Sequence, residues 1–409
     1  MSANLTLAFT LVVFVATYVV VAIGKLPYYR IDRAGAALLG GSLLVGFGVL
    51  TPEEAYRAVD IDTIVLLLGM MIVVANLRGS GFFRVVNALI ARHVRLPITL
   101  LFAVAIASGL LSAFLVNDTI CLVMTPLVTE LVLRMRRNPV PYLLAIAMCS
   151  NIGSVATLTG NPQNMIIGGL SQIPYGTFAA SMAPIAVFGT LAAIALIIAT
   201  HRQEFLSGET LPQIRFPARY HRPLLRKTLA VLLAMVVLFF LGHPIAKVAI
   251  VGGALLLLTR RVSPNRIYRE IDWPLLVMFT GLFIVVAALE KVAIGPDMVA
   301  AVAHLRLDDI AVLSAVTAVL SNLVSNVPAV LVLKPFIEPL ADPQRAWLVV
   351  AMASTLAGNL TLVGSVANLI VAERARAHGA TLGFWSYLRV GMPLTVLTIA
   401  GGVGWLTLI

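Results

Sequence analysis

The chain has 409 residues, of which 60% are hydrophobic and 11% are charged, and its mean hydropathy is +0.99. Soluble domains carry about 25% charged residues, so this composition excludes a soluble globular protein and predicts a polytopic membrane protein. In such a protein the formal net charge of +11 is expected to come from lysine and arginine in cytoplasmic loops, and it predicts no nucleic-acid partner.

Apolar runs long enough to cross a bilayer, or most of one, recur along the whole chain. The first run follows no basic segment and is about twenty residues long, so it predicts a retained helix and not a signal peptide. Together the runs predict an all-α protein with many spans. They cover residues 5–24, 34–50, 64–77, 179–199, 228–241, 244–258, 274–289 and 391–409.

The segment 98–133 contains the polar residues Asn117, Asp118 and Thr119 inside an otherwise apolar run. We predict a helical hairpin that leaves the membrane on the side it entered, with these residues at its tip. A carboxylate at the bilayer centre costs about 3 kcal/mol or more, and such residues commonly mark ion or proton pathways. The sequence therefore predicts that Asp118 carries a coupling ion; a structural ion pair within the bundle is the alternative.

A second interruption, TLTGNP, falls inside the apolar segment 141–170. Pro162 lacks an N–H donor and disfavours helical dihedral angles at Asn161, while Gly160 adopts unusual dihedral angles at little cost. We therefore predict a broken helix, with two half-helices joined by an unwound loop.

The second half of the chain repeats these features in the same order. GMMIVVANL (69–77) matches GLFIVVAAL (281–289) at six of nine positions, and AMCSNIGSVATLTGNPQNMI (147–166) aligns with AMASTLAGNLTLVGSVANLI (351–370). Between these blocks, VNDTICLVMTP aligns with SNVPAVLVLKP. Three matched blocks in one order indicate a duplicated unit.

The alignment predicts a second hairpin over 308–340 and a second broken helix over 346–373, interrupted at TLVGS. Asn326 at the second tip corresponds to Asn117, and Val327 takes the place of Asp118, or Asn326 does if the alignment shifts by one residue. The duplication is therefore broken at the position that carries the charge.

The two halves, residues 1–200 and 228–409, are joined by the longest polar segment, 201–227. If this linker is cytoplasmic, 23 of the 29 lysine and arginine residues lie on the cytoplasmic side and the N-terminus lies outside. This is the orientation expected in a cytoplasmic (inner) membrane. Because each half then crosses five times, we predict an inverted repeat of two five-span halves.

Irregular backbone at membrane depth is tolerated where it is buried in protein or lines a watery cavity, so both tips and both breaks are expected to meet at one central site. Helix N-termini suit an anion, and free carbonyl, amide and hydroxyl oxygens suit a small cation. The alternative role for these side chains is hydrogen bonding that holds helices together. The candidate substrate- and ion-binding residues are Asn117, Asp118, Thr119, Thr157, Thr159, Gly160, Asn161, Asn164, Ser325, Asn326, Thr361, Gly364, Ser365 and Asn368.

These motifs resemble those of the ion transporter superfamily, which includes arsenite–antimonite permeases, citrate–metal symporters, sodium/proton antiporters and divalent anion/sodium symporters. The resemblance rests on the NDT tip, SNIGSVATLTGNPQN, SNLVSNVPAVLVL and GSVANLIV, and it covers nearly the whole chain. It implies a scaffold and a transport domain, often in a homodimer, and elevator-like alternating access.

In the sodium-coupled dicarboxylate branch of that superfamily, Ser-Asn-Thr at both tips helps to bind sodium and carboxylate. This chain departs from the pattern, because Asp118 stands in place of the asparagine and Val327 in place of the second threonine. The Asn-Asp tip looks more like the arsenite permease and related anion permease branches. No lysine or arginine lies at a predicted tip or break, with Lys334 the nearest, so a highly charged anion would depend on helix dipoles.

We therefore predict a secondary active transporter of a small anion or oxyanion, such as arsenite, coupled to H⁺ or Na⁺ through Asp118. No cofactor or resident metal is expected, and lipid is the other predicted partner. A sodium/proton antiporter of the same superfamily is the alternative. An integral-membrane enzyme is disfavoured, because the polar motifs lie at mid-depth in both halves and not at one membrane face.

Overall fold

In the computed structural model every regular element of the described ranges is an α-helix, which confirms the predicted all-α class. Helices long and apolar enough to cross a membrane occur in both halves. The structure describes residues 3–24, 31–206, 208–214, 220–259, 262–293 and 304–409.

The first half places the hairpin segment 98–133 and the broken segment 141–170 in successive helix pairs, α6–α7 and α8–α9. Its helices are α1 (Ala3–Ile23), α2 (Arg33–Gly46), α3 (Pro52–Ala58), α4 (Ile61–Ser80), α5 (Phe82–His93), α6 (Pro97–Phe114), α7 (Asn117–Arg134), α8 (Val140–Ser154), α9 (Pro162–Ser171) and α10 (Tyr175–Thr200).

The second half follows the same order of long and short helices in its described residues, with the segments 308–340 and 346–373 again in successive pairs, α16–α17 and α18–α19. The opposite orientation of the two halves in a membrane stays a prediction. After the linker helix α11 (Arg202–Phe205), the helices are α12 (Arg222–Phe240), α13 (Ile245–Leu257), α14 (Pro264–Tyr268), α15 (Trp273–Ala293), α16 (Ile310–Val324), α17 (Asn326–Ile337), α18 (Pro343–Ala357), α19 (Val366–Ala377) and α20 (Phe384–Leu408).

Seven of the described helices have the length and hydropathy of complete membrane spans: α1, α4, α6, α10, α12, α15 and α20. The hairpin and broken helices are mostly shorter, because polar residues, glycine or proline interrupt their apolar runs.

Two closely packed helix pairs, α2 with α15 and α4 with α13, form the centre of one helix group. Gly281 of α15 lies against the backbone of Ala37 in α2, and Gly69 of α4 lies against the backbone of Ala249 in α13. The approach is so close that a Cβ at either glycine would overlap those backbone atoms. Close contacts between small residues are typical of membrane helix pairs. We call α1–α4, α12, α13 and α15 the frame.

The hairpin helices, the broken helices, α10 and α20 form a second group, which we call the tip group. In it α6 packs on α8, α16 on α18, α7 on α19, and α10 on α20. The frame and the tip group meet at α1 with α16, α4 with α9, and α15 with α17.

The linker 201–227 lies against residues that flank the first hairpin on both sides. Leu211 donates from its backbone N–H to the carbonyl of Arg95 (2.8 Å), and the largely buried Arg137 forms ion pairs with Glu204 (3.2 Å) and Glu209. The location of the linker on the cytoplasmic side of the membrane stays a prediction. Several residues of the linker and of the charge count lie outside the described residues: Ser207, 215–219, Lys25, Arg30, Arg260 and Arg261.

Candidate functional site

Both hairpin tips and both helix breaks border one cavity of about 270 Å³. The first break reaches it through the first turn of α9, at Pro162 and Gln163. Helices α7, α9, α17 and α19 all begin at this cavity, so four helix N-termini, each carrying a partial positive charge, face the same space. The predicted residues that line it are Asn117, Asp118, Ser325, Asn326 and Ser365.

The first tip is held by the first break. The backbone N–H of Asn117 donates to the carbonyl of Gly160 (3.0 Å), and its side-chain Nδ2 donates to Oδ1 of Asn151 (3.0 Å). The residue is 4% exposed, and its Oδ1 has no hydrogen-bond partner among the described residues. Asn117 lines the cavity, but this oxygen is enclosed by protein, so it is an unsatisfied acceptor within the cavity wall.

The second tip has a strained backbone. Ser325 has φ of +78° and ψ of 158°, a conformation that costs a residue other than glycine about 1–3 kcal/mol. The next residue, Asn326, holds its Oδ1 2.7 Å from the hydroxyl of Ser321, which also lies 2.9 Å from the carbonyl oxygen of Ser354. Such strain is commonly found at ligand sites, and both tip residues line the cavity.

Asn151 connects the two halves behind the cavity. Its Nδ2 donates to Oδ1 of Asn359 (2.9 Å) and Oδ1 of Asn368 (3.1 Å), while its Oδ1 accepts from Asn117 (3.0 Å) and from the hydroxyl of Ser365 (3.4 Å). This network is buried and joins a tip residue of the first half to the break of the second.

Asp118 is half-buried and borders two cavities. Besides the 270 Å³ cavity it lines one of about 130 Å³, together with Thr119 and with the ion pair of Arg78 and Glu270. Asp272 lines both cavities as well. The carboxylate of Asp118 can therefore be approached from two sides.

Three charged residues of the cavity come from the frame and were not predicted. Asp32 caps α2 by accepting from Gly35 N–H (2.8 Å), Asp272 precedes α15 and accepts from Leu275 N–H (3.1 Å), and Arg33 is the first residue of α2. None of the described residues that line the cavity from the tips and breaks is a lysine or arginine, but Arg33 of the frame adds one guanidinium beside the helix dipoles. Counting Asp118, three carboxylates and one guanidinium border the cavity.

Thr157, Thr159 and Gly160 lie away from the cavity and shape the first break. The hydroxyl of Thr157 donates to the carbonyl of Ala113, and the hydroxyl of Thr159 lies 2.9 Å from that of Tyr175. Gly160 lies so close to the backbone of Ser154, at the end of α8, that a Cβ there would overlap it. The hydroxyl groups of both threonines thus bond to the surrounding protein.

The matched asparagines of the two breaks also have a structural role. Asn164 donates from Nδ2 to two carbonyls freed at the end of α8 (3.0 and 3.1 Å). Asn368 does the same after α18 (2.7 and 3.2 Å), the second carbonyl being that of Thr361. Asn161 caps α9 by accepting from Asn164 N–H (2.8 Å), and Gly364 packs within the second loop. None of these five borders either cavity.

The internal repeat contains a sequence signal for the hydrogen bonds between the two halves, which the tip and break motifs do not reveal. Asn151 and Thr355 occupy matched positions in the aligned blocks. Each reaches the broken helix of the other half: Asn151 bonds to Asn368, and the hydroxyl of Thr355 accepts from Asn161 (3.3 Å) and Gln163 (3.0 Å). Polar side chains at matched positions on otherwise apolar helices would have identified both.

The chain is similar to known transporters over nearly its full length. The family model described as citrate transporter (CitMHS) matches residues 18–357. An uncharacterized transporter of Mycobacterium bovis is 29% identical over 413 residues, which cover 95% of each chain. The silicon efflux transporter of Oryza sativa subsp. japonica is 28% identical, over 93% of each chain. A Dictyostelium discoideum protein named transporter arsB is 25% identical, over 97% of this chain and 91% of that one.

Two solved transporters share the fold. The crystal structure of the YdaH transporter of Alcanivorax borkumensis matches with a TM-score of 0.61 at 16% identity, over 99% of this chain and 97% of that one. MtrF of Neisseria gonorrhoeae, described with a class of antimetabolite efflux pumps, matches with a TM-score of 0.61 at 13% identity, over 99% and 94%. At these identities the likeness shows the fold alone.

Proposed function

The chain belongs to the citrate transporter family, and from that premise we propose that it carries a small oxyacid, or the anion of one, by secondary active transport coupled through Asp118. The observation that carries the proposal is the convergence of four helix N-termini and both hairpin tips on one cavity. Such N-termini offer free N–H groups and positive potential to oxygen ligands.

The volume of the cavity supports a small solute. At about 270 Å³ it lies below the range of about 300–1,000 Å³ that accommodates drug-sized ligands. Its lining charges favour a neutral or singly charged solute, because Asp32, Asp118 and Asp272 outnumber Arg33 and like charges disfavour one another at close range. A polyanion such as citrate would need a compensating cation.

The relatives suggest which solutes to test first. A silicon efflux transporter and a protein named arsB are both similar over more than nine-tenths of this chain, so silicic acid and arsenite are the first candidates, and efflux is the first direction. Both acids present hydroxyl groups that amide and hydroxyl side chains can hydrogen-bond.

For coupling, we propose that Asp118 binds a proton or Na⁺ on its way between the two cavities that it borders. The tip group would move against the frame in an elevator-like step. We further propose a homodimer in the inner membrane, with the N-terminus outside and the linker 201–227 in the cytoplasm, as the excess of basic residues in the loops on the linker's side favours.

A sodium/proton antiporter is the second candidate, and one observation favours it. Asp118 and Asp272 border the same two cavities, and a pair of carboxylates can exchange protons for a cation without any solute. The two candidates differ in whether ion movement requires an oxyacid.

The test is transport by the purified full chain in proteoliposomes. Arsenite or silicic acid uptake above that of protein-free liposomes, together with a solute-dependent pH change, supports the oxyacid transporter. A sodium-driven pH change of equal size without solute supports the antiporter instead. In cells, an expressing strain should survive arsenite better than the vector control, and equal sensitivity would speak against arsenite as the solute.

A further inference from the structure

Arg33 is the only cation that lines the 270 Å³ cavity among the described residues. It is half-buried, and none of the described carboxylates lies within ion-pair distance of it. The neighbouring stretch KLPYYR, which lies outside the described residues, contains no acidic residue. A guanidinium that faces a cavity and has no carboxylate within ion-pair distance among the described residues is suited to bind an anion.

The guanidinium is held in place by the end of α1. An ideal Cβ on Gly24 would lie 3.4 Å from Nε and 3.5 Å from an Nη of Arg33, so the side chain rests against the backbone there. Gly24 has φ of +90°, a conformation that favours glycine. Because α2 is packed tightly on α15, Arg33 is presented from a rigid element.

The guanidinium group itself indicates what kind of anion it can bind. It donates up to five hydrogen bonds in one plane, and two oxygens on one centre can accept two of them side by side. A singly charged oxyacid offers such a pair of oxygens.

We propose that Arg33 binds the ionised oxygen of a singly charged oxyacid in the 270 Å³ cavity. This names the substrate class and rests on the proposed function. Asp32 on the same element, Asp118 on α7 and Asp272 before α15 are the charged groups that line the cavity with Arg33. Their combined charge selects a monoanion over a polyanion.

The experiment measures ligand-induced thermal stabilisation of the full chain in detergent, so that binding is read without transport. The probes are hydrogencarbonate at neutral pH, arsenite at a pH above its first ionisation, and citrate. The variants are Arg33→Gln, Arg33→Lys and, as a matched control, Arg57→Gln, since Arg57 is an exposed arginine in α3 that pairs with Glu53 away from the cavity. The melting temperature without ligand checks that each variant folds.

We expect at least one monoanion to stabilise the wild type and Arg57→Gln at equal concentrations. Arg33→Gln should need about tenfold or more ligand, because a charge-assisted pair is lost, and Arg33→Lys should lie between. Citrate should give no shift.

The inference is overturned if neither monoanion stabilises the wild type, if Arg33→Gln responds like the wild type, or if citrate acts as well as the monoanions. Binding that depends on Arg33 without oxyacid transport in proteoliposomes would refute the proposed function and leave this inference standing.

Discussion

Asp118 lies where two cavities meet, and replacing it with asparagine keeps its size while removing its charge. We expect Asp118→Asn to exchange solute down a concentration gradient but to lose the accumulation driven by a pH or sodium gradient, because an amide cannot bind and release a proton. The measurement is solute uptake into proteoliposomes with and without an imposed ion gradient.

The matched control for this change is Asp62→Asn, because Asp62 is an exposed aspartate in the first turn of α4 that borders neither cavity. It should keep gradient-driven accumulation. If Asp118→Asn accumulates solute to the wild-type level under the same gradient, Asp118 is not the coupling residue.

Asn151 carries the hydrogen bonds that join the two halves, so its loss should reduce stability. Asn151→Ala leaves the amides of Asn117, Asn359 and Asn368 without their partner in a buried setting, and each buried group left unsatisfied costs about 1–3 kcal/mol. We expect a lower denaturation midpoint in detergent. Asn265→Ala, at an exposed asparagine of α14, should change it little. Equal midpoints for both variants would mean that the network contributes nothing.

The sequence predicted five polar residues of the tips and breaks that line the cavity, but not Gln163 of the first break or the residues of the frame. Asn117, Asp118 and Ser365 stand out because polar residues are costly in apolar runs. Arg33 and Asp272 lie at helix ends, where charges are ordinary, and only the packing of distant helices brings them to the cavity. A motif search therefore could not identify them.

At the scale of the helices, the duplicated glycines of α4 and α15 have a packing role. Gly281→Val would place a branched side chain where the backbone of Ala37 already lies, and overpacking of this kind costs about 1–3 kcal/mol or more. We expect a lower yield of folded protein and a lower melting temperature. Gly404→Val is the control, since a Cβ at Gly404 of α20 would meet nothing within 4 Å. A wild-type melting temperature for Gly281→Val would contradict the proposed packing role.

Both breaks begin a little before the motif that predicts them. TLTGNP ends at Pro162, where α9 begins, but α8 already ends at Ser154. In the same way, α19 begins just after TLVGS, but α18 already ends at Ala357. In each break one asparagine side chain, Asn164 or Asn368, donates to two of the freed carbonyls. A contact across the loop of this kind has no local sequence signature, so the motifs locate where each break ends better than where it begins.

At the scale of the whole molecule, helix order could be predicted from the repeat, whereas the division into a frame and a tip group follows from packing. Among the described residues an ion pair bridges the two groups: Lys334 of α17 lies 3.3 Å from Glu290 of α15. The adjacent Lys291 pairs instead with Glu54 of α3 (2.7 Å). Both residues of this second ion pair belong to the frame. Neighbouring residues of one helix thus offer a bond between the groups and a bond within one group.

If transport requires the tip group to move against the frame, tying the groups together must stop it. We expect Glu290→Cys/Lys334→Cys, bridged by a reducible bifunctional thiol reagent, to lose transport in proteoliposomes and to regain it on reduction. Glu54→Cys/Lys291→Cys, bridged in the same way, should transport at the wild-type rate because it joins helices of one group. The native Cys121 and Cys149 are fully buried and should not react. Transport at the wild-type rate by the bridged 290–334 variant would show that displacement at this contact is not needed, and the elevator-like step would then have to be abandoned.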